Sequence, residues 1–82
     1  QRVTGFFTDP VAVVGCRVER CGAQRVTEPR LGCIGVVTQA GIARPHGAVF
    51  VGDGLWAAKG EGGLHIAKPL AVLAIWDVGY AA

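Results

Sequence analysis

The dipeptide Asp53-Gly54 separates two short apolar runs, AVFVG (Ala48–Gly52) and LWAAK (Leu55–Lys59). A two-residue type I′ loop needs positive φ at both of its positions, and Asp-Gly meets that demand at low steric cost. The pair therefore predicts a β-hairpin. Its length sets a register with Gly52 opposite Leu55, Val51 opposite Trp56 and Val49 opposite Ala58. In that register Val49, Val51, Trp56 and Ala58 share the core face, while Phe50, Leu55 and Ala57 take the other.

Turn chemistry also punctuates the rest of the chain. Thr8-Asp9-Pro10 reads as a turn, and VAVVGCRV (Val11–Val18) as a strand with Gly15 at a bulge, because β-branched residues suit a pleated surface. Glu19–Arg30 is a polar connector. LGCIGVVTQ (Leu31–Gln39) is a second strand, with Ile34, Val36 and Thr38 on one face and Cys33, Gly35 and Val37 on the other. Its glycines predict a bend. Ala40–Gly47 reads as a loop, and Gly60–Lys68 as a glycine-rich turn. PLAVLAIW (Pro69–Trp76) is apolar on both faces, as in a central or interface strand. No stretch shows a helical period of useful length. Short strands between frequent turns predict an all-β fold, a small barrel or sandwich.

The chain has 82 residues, enough for one small domain. It is 51% hydrophobic and 17% charged, against roughly 25% charged in an average chain. That composition argues for an ordered core with apolar surface left over for a partner chain or a membrane face. The net charge of +2 is too small to point to nucleic acid. The longest uncharged stretch, Leu31–Ala43, contains three glycines and falls short of the roughly 20 apolar residues that span a bilayer. With no leader to read and Gln1 in place of Met, the chain reads as an excised piece of a longer protein.

Candidate chemistry is sparse. There is no serine, which excludes a Ser-His-Asp triad. No two carboxylates invite general acid–base work. His46 and His65 each stand alone in a predicted loop. Gly60, Gly62 and Gly63 lack the following helix, Lys and Ser or Thr of a phosphate loop, and read as a β-turn. Cys16, Cys21 and Cys33 are an odd set that reads as reduced structural thiols. A Cys16–Cys21 disulfide or a zinc site with His46 or His65 are the alternatives, and no tight ligand pair supports the metal. The chain is expected to be no enzyme and to carry no cofactor or metal.

One run of residues carries a likeness. Leu31, Gly32, Gly35, Val36 and Val37 are followed by Pro45 and Gly47, then Val49 and Val51, then a tight turn. Leu55, Trp56, Ala58 and Lys59 come next, with Glu61–Gly63 and Ile66 beyond. In order and spacing this resembles the soluble C-terminal domain of NfeD-like proteins, membrane partners of stomatins and flotillins. The resemblance covers residues 25–76. It implies a five-stranded OB-like barrel over 25–82 and a non-catalytic role in protein interaction, in the cytoplasm at a membrane face. Three departures stand out, one being that outward positions often charged in the family carry Phe50, Ala71 and Trp76 here. The family's last strand has no counterpart after Asp77, so Val11–Val18 is expected to complete the barrel in cis or by swapping. Residues 1–24 have no family counterpart and form a separate N-terminal strand and connector.

Three functions follow for testing. The first is an interaction module that forms a homo-oligomer or binds a stomatin- or flotillin-type partner, with Phe50, Ala71, Leu73 and Trp76 bearing the contact. The second is an OB-type module for single-stranded nucleic acid, disfavoured by the inward Trp56 and the charge balance. The third is a designed or recombined β-protein with no natural task.

Overall fold

The computed structural model describes residues 9–60 and 62–79. Helix α1 (Pro10–Arg20) precedes six strands: β1 (Gln24–Val26), β2 (Ile34–Thr38), β3 (His46–Gly52), β4 (Leu55–Gly60), β5 (Gly63–Ala67) and β6 (Ala71–Asp77). They form one antiparallel sheet in the order β1-β6-β2-β3-β4-β5. The chain is mostly β, as expected, but the sheet is not closed into a barrel.

The sheet must nevertheless curl. β5 and β6 lie four strand spacings apart, about 19 Å across a flat sheet. Only Lys68, Pro69 and Leu70 join them, and the four steps from Ala67 to Ala71 reach at most about 14 Å. The bend lets one sheet face bury its own side chains. Cys33, Val37, Ala48, Trp56, Ala58 and Ile75 form that concave core, with Val26 and Phe50 packed against it. Trp56 reaches from β4 across β3 to β2. A Cβ on Gly35 would stand 2.6 Å from the indole Cζ3, so the glycine is the seat of the ring.

The opposite face carries α1. Here the strand expected over Val11–Val18 is corrected to a helix. Asp9 caps it: its Oδ1 accepts from Val11 N–H at 3.1 Å and Ala12 N–H at 3.4 Å. Pro10 occupies the first turn and Arg17 and Arg20 the last, each where the helix favours it. Val11, Val14 and Val18 recur at helical spacing and pack on Ala23, Val36, Ala74 and Trp76. Burying that stripe outweighs the modest strand preference of valine. Gly15 marks no bulge; it lets the helix approach Trp76, whose Cζ2 would stand 2.8 Å from a Cβ there. Trp76 Nε1–H donates to Glu19 Oε2 at 2.8 Å, and the Arg25 guanidinium sits 5.2 Å from the ring centroid.

The hairpin has its expected turn and a different register. Asp53 and Gly54 have φ of 56° and 75°. Gly52 pairs with Leu55, but then Phe50 pairs with Trp56 and Val49 with Ala57. Val51 is an extra residue in β3, and such a bulge reverses which side chains face inward. Phe50 therefore joins Trp56, ring centroids 5.2 Å apart, while Val49 and Val51 turn outward at 42% and 41% exposure. Two further segments differ from expectation. The Gly60–Lys68 turn contains strand β5, and the Glu19–Arg30 connector contains β1.

The fit of Gly15 against Trp76 yields a test whose sign is informative. On an exposed helix, Gly→Ala stabilises by about 1 kcal/mol. Gly15→Ala is expected instead to destabilise, since overpacking a well-filled site costs about 1–3 kcal/mol. Urea unfolding midpoints report the direction.

Candidate functional site

The helix-bearing face is only partly covered. α1 contacts β2, β3 and β6. Beyond it a row of paired residues crosses the sheet: Ile34 with Val49, Val49 with Ala57, and Ala57 with Ile66. Leu64, paired with Lys59, extends the row's last column. Exposure is greatest at the β5 end of the row, 55% at Ile66 and 70% at Leu64. The sheet's apolar side chains thus continue past the helix to the β5 edge.

The two edges differ. β1 spans three residues, includes Arg25 and is followed by Pro29, features that discourage strand addition. β5 spans five residues, every one exposed, with no charge and no proline inside it. Its outer backbone groups have no strand beside them. Lys68 and Pro69 end it. Among the described residues this is the longest unprotected edge, and it adjoins the uncovered apolar row.

The residues expected to bear contacts fall in different places. Trp76 is 1% exposed beneath α1, and Phe50 is half-buried against Trp56, so neither is a free surface anchor. Ala71 and Leu73 are exposed at the start of β6, with Leu73 the unpaired residue of a second bulge between Ala74 and Val72. Of the predicted core, Trp56 and Ala58 are inside, and Val49 and Val51 are not. Leu64 and Ile66 were missed by the sequence reading. Their alternation in GLHIA is a strand signal masked by the glycines before it.

No aromatic platform for bases forms among the described residues, because both tryptophans are interior and Phe50 lies against one of them. Cys16 and Cys21 are exposed, Cys33 is buried, and all three thiols are unpaired. Cys33 Sγ instead accepts from Arg30 N–H at 3.3 Å. Among the described residues no cluster of three His, Cys, Asp or Glu could hold a metal ion, and no helix is long and apolar enough to cross a membrane.

Comparison of the chain with family models, curated proteins and solved structures finds no match.

Surface and core substitutions should separate cleanly in dilute solution. Leu64→Lys is expected to shift stability by no more than about 0.5 kcal/mol, as exposed sites do. Trp56→Ala should cost about 3–5 kcal/mol. Chemical denaturation of the two variants beside the parent chain checks the contrast.

Proposed function

We propose that this chain is a non-catalytic interaction module whose working surface is the β5 edge with the apolar row beside it, and whose occupant is a second copy of the chain. The observation that carries this is the fully exposed, uncharged β5. An antiparallel edge is self-complementary about a twofold axis. With the axis through His65, Gly63 faces the partner's Ala67 and Leu64 faces the partner's Ile66. Residues directly opposite share a sheet face, so both apolar side chains meet on the uncovered side. The two sheets then run on as one, and the edge amides gain acceptors.

The NfeD-like kinship belongs to this proposal on the strength of the run from Leu31 to Ile66. A stomatin- or flotillin-type chain is what that kinship would bring to the same edge, and closure of the curled sheet into an OB-like barrel is the form it would favour. The second copy is the occupant supported by the register symmetry of β5 itself.

Sedimentation across about 1–100 μM should show a monomer–dimer equilibrium. Ile66→Lys should weaken it at least about tenfold while leaving the unfolding midpoint of the monomer in place. Alternate amides of Gly63–Ala67 should exchange slowly in the dimer and fast in the monomer. A chain that stays monomeric throughout, or a dimer indifferent to Ile66→Lys, overturns the reading.

A further inference from the structure

The register of β5 fixes what meets at the twofold axis. Only two residues separate Gly60 from Gly63, and a pair that closes so short a loop exchanges both of its hydrogen bonds. Pairs of this kind alternate along a hairpin, so Ala58 and His65 form another. The N–H and C=O of His65 are therefore directed at β4, and those of Leu64 and Ile66 point out from the edge. Across the axis Leu64 exchanges both bonds with the partner's Ile66. The two copies of His65 stand directly opposite each other between those bonded pairs, as a pair with no bonds of its own. Backbones approach closest at such a pair, with Cα atoms about 4.5 Å apart.

Symmetry thus sets histidine against histidine. Both lie on the concave side, since His65 pairs with Ala58 of the concave core. On that side β4 offers Ala58 and Gly60, which carry no charge, while Lys59 between them pairs with Leu64 and turns to the other face. The β2–β3 loop brings Arg44 and His46 to the cleft that His65 also lines. Lys68, at the end of β5, lies near Gly54. Among the described residues no Asp or Glu lines that cleft, so a proton on His65 adds to charge of its own sign. The ring leans over Gly60, its Cδ2 and Nε2 2.8 and 3.1 Å from where a Cβ would stand, and the residue is exposed.

We infer that proton uptake by His65 weakens the pairing of copies, so that the assembly loosens as pH falls. The inference rests on the β5 pairing proposed above and assigns its regulation. Histidine is the side chain whose charge changes between pH 5 and 8. Above that range two neutral rings face each other and β5 pairs. Below it two imidazolium groups do, and like charges directly opposite on adjacent strands repel. Separated copies hold the protons at lower cost, so falling pH draws the equilibrium toward the monomer. Because each ring leans back toward its own β4 and solvent reaches it, the repulsion is partial and weakens pairing about two- to fivefold.

The test is sedimentation of the full chain at about pH 8 and about pH 5.5, on either side of the histidine range. At about 20 mM salt the dimer dissociation constant should rise about two- to fivefold at the lower pH. At about 500 mM salt, which screens exposed charges, the rise should shrink. His65→Gln should keep the dimer and lose the pH response. His65→Lys, charged at both pH values, should pair weakly at both. A ring with a purely structural role would not separate those two variants in this way. A dimer that Ile66→Lys disrupts but whose constant is the same at both pH values overturns the inference and leaves the pairing standing. So does a pH response that survives in His65→Gln. A chain that is monomeric at both pH values overturns the two together.

Discussion

A three-residue link, Lys68-Pro69-Leu70, ties together strands that a flat sheet would hold too far apart. The strain-free answer is curvature, and the side chains are cut to suit it. Trp56 fills the inside of the bend because Gly35 leaves room for its ring. Leu70 N–H anchors the link by donating to Thr38 O at 2.7 Å, which holds the start of β6 against the end of β2. A sheet bent in this way buries one of its faces without a second layer, which is how so short a chain sustains a core at all.

The outer face has only α1 to cover it. A helix with its side chains is about 10 Å across, the width of two to three strands. Placed over β2, β3 and β6, it hides Trp76 and leaves β4 and β5 bare. The closeness that Gly15 allows, and the bond from Trp76 to Glu19, pin the helix to that half of the sheet. Apolar exposure at Leu64 and Ile66 is thus a geometric consequence of one helix on six strands. It is also where the sheet ends in an edge without charge, and self-pairing is the economical way for a small domain to cover both.

β5 has a different environment on each side. The alternation that turns Leu64 and Ile66 toward the uncovered face turns His65 and Ala67 toward the concave side. The His65 ring closes over Gly60, where a Cβ would stand 2.8 Å from it, so a side chain at that end of β4 has no room beside the ring.

Much of this was legible residue by residue. Asp53-Gly54 specified a tight reversal, and Trp56 was assigned to the interior, because turn chemistry and a large apolar ring act locally and strongly. The β-rich class followed from valine-rich runs broken by glycine. At residues 11–18 two local signals competed: β-branched composition favoured a strand, while Asp9-Pro10 and the spacing of Val11, Val14 and Val18 favoured a helix. Contact with Val36 and Trp76 decided between them, and the contact with Trp76 spans about sixty residues of chain. The bulge at Val51 was equally out of reach, since it is the reward of pairing Phe50 with Trp56 that sets it, and a shift of one residue reverses both faces. The edge at β5 exists only once strand order is known. The sequence by itself determined which residues turn, cap and avoid water; tertiary structure decided which of the apolar residues would find cover, because cover depends on what the rest of the chain brings alongside.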